Sequence, residues 1–323
     1  MAQVISDVSR AAAALRHGEL VAFATETVYG LGGVALWPET VARIFEVKGR
    51  PTFDPLIVHV PDLVAVRQLV THIPPVAERL ASHFWPGPLT LVLPKSECVP
   101  DLVTAGLPSV AVRIPKHPLA LELLRDVGFP VAAPSANLFG RVSPTTAAHV
   151  EDQLGDRIEW ILDGGPSEVG VESTVLVIPE AGLPTLLRPG GVSIEQIEAI
   201  IGPVQLPRES TDRGDSIAQL APGCLPQHYA PATPITIEDM RLPPPVGRYG
   251  ALVFEGCPHS DRYAEVEILS PTSSLAQAAA ELFAALRRLD KRGLDGIRTE
   301  RFPDHGLGRA INDRLRRAAY RGE

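Results

Sequence analysis

The sequence predicts an α/β protein: an open, mixed sheet with helices, followed by a second, smaller α/β unit. Three observations predict it. Short apolar runs of strand length alternate with longer stretches whose apolar residues recur at helical spacing. The 32 prolines among 323 residues act mainly as stops between these runs. The alternation breaks over residues 203–236, which hold six prolines and the polar run R-E-S-T-D-R-G-D-S, and then resumes. The length suits about two domains of ordinary size.

In chain order, Ile5 to Leu15 reads as an opening helix that ends at Gly18. Leu20 to Phe23 reads as a short buried strand. It runs into T-E-T-V-Y-G-L-G-G, residues 25–33, which reads as a glycine-rich loop where backbone N–H groups could approach a ligand. It is neither G-x-G-x-x-G nor a Walker loop. Pro38 to Val47 is helical, Pro55 to Val60 is a strand, and Leu63–Val70 and Pro75–Phe84 are helices. W-P-G-P at 85–88 is a turn before the strand Leu89–Leu93. Ser109–Ile114 is a strand, His117–Asp126 a helix and Val131–Ala133 a short strand. Thr145–Leu154 is a helix, with strands at Trp160–Leu162, Ser173–Ile178 and Thr185–Arg188. The close strand pairs near 89–114 and 173–188 make the sheet mixed rather than purely parallel. Beyond the linker, Tyr249–Phe254, Ala264–Ile268 and Gly296–Arg298 read as strands, and Ser274–Arg292 and Leu307–Tyr320 as helices.

Composition narrows the function. A mean hydropathy of +0.09 suits a globular core, and no apolar run reaches the length of a membrane span. The start, M-A-Q-V-I-S-D, shows no basic stretch or cleavage site of an export signal, and the three widely spaced cysteines suit reduced thiols, so a cytoplasmic location is expected. The net charge is −8, and residues 1–200 carry 22 acidic against 14 basic side chains. An acidic first unit is a poor partner for a nucleic-acid backbone, so direct nucleic-acid binding is expected to be weak or absent.

Polar residues cluster where strands and helices end. Lys48 and Arg50 flank Gly49 at a helix exit, and Lys48 is one of only four lysines. An ammonium beside a guanidinium fork suits a polyphosphate. Two solvated cations favoured by a helix C-terminus are the other reading, and such cations would contribute little to stability. Arg113, in an otherwise apolar strand, is either a paired charge or a ligand-facing strand end. Ser135 and Asn137 in P-S-A-N have no evident His/Asp relay and read as hydrogen-bonding binders, or else as a helix N-cap. In an open α/β sheet such ends collect into one crevice.

K-G-R with S-A-N matches the K-x-R…S-x-N signature of the YrdC family, which the chain resembles. T-E-T-V-Y-G-L-G, D-P-L-I-V-H-V, W-P-G-P-L-T, V-A-V-R-I-P, A-P-S-A-N and G-V-E-S-T-V match in the same order. A-P-G-C-L-P-Q-H-Y-A-P and G-L-G-R-A-I-N-D-R-L resemble the two-domain Sua5 branch. The resemblance implies a YrdC-like catalytic domain over 1–202, a linker that is also an active-site lid over 203–236, and a smaller Rossmann-like domain over 237–323. It implies a nucleotidyltransferase that makes L-threonylcarbamoyl-AMP from L-threonine, bicarbonate or CO2, and ATP. That product would serve a downstream threonylcarbamoyl-transferase complex that modifies tRNA. Mg²⁺ would be held mainly by the ATP phosphates and water, with no metal site made by the protein.

The same resemblance implies roles for residues. Lys48, Arg50, Ser135 and Asn137 form the signature set around the reacting groups. Asp54, Ser109, Ser143, Arg188, His228 and Tyr229 join them at ATP. Thr27, His59, Arg113, Ala133 and Ser173 line the threonine site, with Arg113 clamping the carboxylate bidentately. Three positions depart from the family pattern. Ala24 replaces a frequent proline, Asp54 a frequent Asn, and Gln227 a frequent basic residue. An acid at 54 would oppose phosphate unless it faces something else.

Overall fold

Val21–Phe23 has no polar side chain and is buried along its whole length. Such a strand must lie inside a sheet covered on both faces, and it does. The computed structural model of the chain describes residues 1–180, 182–206 and 228–320. In it, ten strands form one sheet. They run β1 (Gln3–Ile5), β8 (Trp160–Leu162), β2 (Val21–Phe23), β3 (Gly30–Val34), β7 (Val131–Ala132), β4 (Ile57–His59), β6 (Ser109–Arg113), β5 (Leu89–Pro94), β9 (Thr174–Val177) and β10 (Thr185–Arg188). The sheet holds both parallel pairs (β1 with β8, β4 with β6, β5 with β9) and antiparallel ones (β2 with β3, β5 with β6, β9 with β10), so it is mixed as expected.

The structure corrects the glycine-rich stretch. Residues 30–34 are a fully buried strand, β3, and not part of a loop. A Cβ on Gly32 would lie 2.8 Å from the Phe23 ring, and one on Gly33 would lie 2.9 Å from Leu20. These glycines let neighbouring side chains close over the strand; only Thr25–Tyr29 remain as loop.

Helices cover the sheet: α1 (Val8–Arg16), α2 (Pro38–Lys48), α3 (Leu63–Leu69), α4 (Pro75–Phe84), α5 (Asp101–Thr104), α6 (Pro118–Val127), α7 (Ala147–Leu154) and α8 (Ile194–Ile201). Helix α1 packs on α6, and α8 on α4. Proline opens α2 at its first turn, and Gly49 closes it in the left-handed conformation at φ 63°. Helix α8 and strand β1 were not expected from the sequence. Helix α8 nevertheless carries a capping box between Ser193 and Gln196.

The second unit is a four-stranded, all-parallel sheet in the order β11 (Ile235–Ile237), β14 (Gly296–Thr299), β12 (Tyr249–Val253), β13 (Glu265–Ile268), packed with α9 (Leu275–Asp290) and α10 (Gly308–Ala319). The linker boundaries need correction. Gln205 still bridges Thr185 of the first sheet, and Ile235–Ile237 is already a strand of the second. Residues 207–227, including Gln227 and most of the expected lid, lie outside the described residues. The two units share one apolar cluster: Val28, Val142 and Val171 pack with Tyr229, Leu282, Phe283 and Leu286. No described helix is long and apolar enough to cross a membrane.

Candidate active site

Strand register builds the site. His59 ends β4 and stands opposite Arg113, which ends β6. Ala133 follows β7, Ser173 precedes β9, and Arg188 ends β10. These ends surround a cleft. Thr27, Arg50, His59, Arg113, Ala133 and Ser135 line it, and so do Ser173, Arg188, His228 and Tyr229. Ten of the residues expected at ATP or threonine are thus brought together. Lys48, Asp54, Asn137 and Ser143 lie behind the lining and support it, as their hydrogen bonds show. Ser109 is not brought in; it begins β6, opposite Pro94, while Arg113 at the strand's other end lines the cleft.

The signature cations are not solvated. Lys48 is 2% exposed, and its ammonium donates to the backbone carbonyls of Ser135 at 2.5 Å and Asn137 at 2.6 Å. It clamps the P-S-A-N loop from beneath. Burial, and then the Arg50 charge, pull its pKa well below the usual lysine value, with Asp54 opposing. Arg50 is also buried, donating to the carbonyls of Asp54 and Pro55 and pairing with the Asp54 carboxylate at 2.8 Å. The acid at 54 is therefore spent on Arg50 and does not face the cleft. Burial raises the Asp54 carboxyl and lowers the Arg50 guanidinium, each partner opposing the other's shift. Asn137 gives its amide to the carbonyls of Leu138 and Arg141, which fixes the same loop.

The opposite end is a small polar recess. Arg113 donates to the Gly87 carbonyl at 3.2 Å and the Thr27 hydroxyl at 2.9 Å, and it pairs with Glu26 at 2.7 Å. The expected free bidentate clamp is thus changed: one arm of the guanidinium already belongs to Glu26, and a substrate carboxylate would share the group. Burial pushes the Glu26 carboxyl up, but Arg113 holds it below the usual range. His59 is pushed down to about 3 by burial and then by Arg113, so its imidazole is neutral at ordinary pH. Ser173 shares a hydrogen bond with Thr90 at 2.8 Å and accepts from Arg188 at 3.2 Å.

His228 and Tyr229 close the cleft from the second unit's side. Tyr229 has φ +61°, a backbone conformation that costs energy for a bulky residue and that packing must hold. Its ring stacks on Phe283 with centroids 5.6 Å apart, and His228 stands edge-on to Phe139. The Nδ1 atoms of His59 and His228 and the Tyr229 hydroxyl are buried and find no hydrogen-bond partner among the described residues. Buried polar atoms seldom go unpaired, and three around one cleft mark a site for a polar ligand. Burial, and then Glu172, push the Tyr229 hydroxyl up to about 12, so it stays a neutral donor.

Glu26, Glu172 and Arg314 had no role in the reading of the sequence. Glu172 lines the cleft, accepts from Ser143 at 2.5 Å and pairs with Arg314 at 2.9 Å. The carboxylates nearest the cleft (Glu26, Asp54 and Glu172) are each taken by an arginine, so they do not form a cage for a cation.

The sequence profile of the family described as telomere recombination, which covers Sua5, YciO and YrdC, matches residues 13–190. The chain belongs to this family. The profile of the threonylcarbamoyl-AMP synthase C-terminal domain matches residues 192–320, which marks the two-domain branch. The threonylcarbamoyl-AMP synthase of Bacillus subtilis is 45% identical over 97% of this chain and 92% of its own length. The synthase of Pyrococcus abyssi is 43% identical over 96% of this chain and 93% of its own. Pyrococcus abyssi Sua5 complexed with L-threonine has the same two-unit fold, with a TM-score of 0.90 and 40% identity over 99% of this chain and 97% of its own. Escherichia coli YciO, 22% identical with a TM-score of 0.51, covers 59% of this chain and shares the family fold.

Proposed function

We propose that the chain synthesises L-threonylcarbamoyl-AMP from L-threonine, CO2 or bicarbonate, and ATP, with release of pyrophosphate. The observation that carries this reading is the two-ended cleft. Buried cations and Ser135 stand at one end, and a recess of hydroxyls, His59 and Arg113 at the other. It holds three reactants without asking for a covalent intermediate. The synthases of Bacillus subtilis and Pyrococcus abyssi, and the threonine complex of the latter's Sua5, support it.

Threonine enters the recess, its side chain near the Thr27 and Ser173 hydroxyls. Its ammonium gives up one proton to water, the free amine bonds to the carbon of CO2 as a C–O π bond opens onto oxygen, and the nitrogen passes a second proton to water, giving a carbamate. A carbamate oxygen then bonds to the α-phosphorus of ATP while the bond to pyrophosphate breaks. Arg50 and Arg188 offset negative charge that grows on the phosphates, and Lys48 keeps Ser135 aimed at them by holding its carbonyl. Mg²⁺ is proposed to enter on the nucleotide's phosphates, where it would screen their charge. Release to a downstream transferase acting on tRNA, in the cytoplasm, completes the proposal. Pyrophosphate release that requires threonine and bicarbonate together tests it. Release without threonine, or none at all from folded protein with Mg²⁺ present, overturns it.

A further inference from the structure

A carboxylate on the wall of a nucleotide site is an electrostatic liability, and Glu172 is such a carboxylate. Arg314 meets it from α10 of the second unit. The Arg314 side chain is wholly buried and reaches three parts of the cleft wall at once. It donates to the Glu172 carboxylate at 2.9 Å and to the Pro189 carbonyl, just past Arg188, at 2.7 Å. Its guanidinium carbon lies 5.2 Å from the centre of the Tyr229 ring. Asp313, on the same helix, accepts at 3.0 Å from the same Nη1 that serves Pro189. The second oxygen of Glu172 accepts a hydrogen bond from the Ser143 hydroxyl at 2.5 Å. Burial pushes the Glu172 carboxyl up, but Arg314 and Arg188 hold it below the usual range, so the acid stays charged and cancelled.

We propose that Arg314 is a positioning residue for the nucleotide: through it the C-terminal unit neutralises Glu172 and sets the Ser143, Arg188 and Tyr229 side of the cleft. The proposal rests on the functional reading above. It makes the second unit a working wall of the site rather than an appendage. It also explains why a buried ion pair spans 142 residues at this spot. Without Arg314, an unpaired carboxylate would face the phosphates.

The test uses the full chain with Arg314→Met, Glu172→Gln and both together, and reads ATP and threonine dissociation constants by calorimetry. Arg314→Met is expected to weaken ATP binding by about tenfold or more and threonine binding by less than about twofold. Adding Glu172→Gln removes the charge Arg314 cancelled and should bring ATP affinity back to within about threefold of wild type. Unchanged ATP affinity in Arg314→Met overturns the proposal, and so does a folded double variant that stays as weak as the single one. If Arg314→Met fails to fold, the double variant carries the test: near-normal ATP binding supports the proposal, and lost binding overturns it. Wild-type protein that binds ATP yet releases no pyrophosphate overturns the functional reading alone; wild-type protein that binds no ATP overturns both.

Discussion

Replacing Lys48 with methionine tests the clamp under the P-S-A-N loop. The change keeps most of the side-chain volume and removes the ammonium that serves the Ser135 and Asn137 carbonyls at 2.5 and 2.6 Å. Each carbonyl left unpaired in the interior costs about 1–3 kcal/mol. Relief from burying the ammonium offsets part of that, since burial is the main cause of its lowered pKa. A net loss of about 3 kcal/mol follows. At a urea slope near 3 kcal/mol/M this moves the unfolding midpoint down by about 1 M. Because Ser135 is aimed by the same bond, pyrophosphate release should also fall by about 100-fold, the scale of one lost transition-state donor. Urea titration followed by fluorescence, alongside a pyrophosphate assay, reads both effects. A Lys48→Met protein with the wild-type midpoint would refute the clamp. One with a lowered midpoint but normal turnover would refute its link to Ser135.

Three further outcomes are expected. His59 is neutral in the fold and protonates below about pH 6.5 once unfolded, so stability held above that pH is lost as pH falls toward 3, by up to about 4 kcal/mol; denaturant titrations across this window should show a shallower slope for His59→Gln, and parallel slopes would count against it. Glu26→Gln leaves Arg113 without its ionic partner and should raise the threonine KM by about tenfold while leaving that for ATP unchanged; equal effects on both substrates would reject Glu26 as a support of the recess. Serine keeps the hydroxyl and loses only a methyl, worth about 1–3 kcal/mol, so it should outperform 2-aminobutyrate as alternative substrate; equal rates for threonine and 2-aminobutyrate would exclude hydroxyl recognition.

Much of this site was legible in the chain, because strand ends carry their own marks. Arg113 and His59 each close an apolar run, and that pattern alone places them at a crevice. What failed was exposure. Lys48 and Arg50 read as loop cations because a helix stop surrounds them, yet both are buried, Lys48 against the carbonyls of the 135–137 loop and Arg50 against Asp54 and Pro55. Gly32 and Gly33 read as ligand-facing because glycine serves close approach of any kind; here the neighbours are Phe23, Val131 and Leu20. Strand β11 was hidden because I-T-I lies among prolines and gains its strand state only by pairing with β14, some sixty residues away. Pairs such as Glu26 with Arg113 and Glu172 with Arg314 leave no local trace, since each partner's sequence neighbourhood is satisfied without the other.

The valines shared between the two units bear on how the cleft stays assembled. Val28, Val142 and Val171 are almost wholly covered, and they belong to the apolar cluster of the C-terminal unit. Swinging the units apart would wet all three, at about 1.5 kcal/mol each, or between 4 and 5 kcal/mol together. A splayed form would then make up only about one molecule in a few thousand. At any moment nearly every molecule therefore has its two halves seated, and the joint keeps the wall of the cleft assembled.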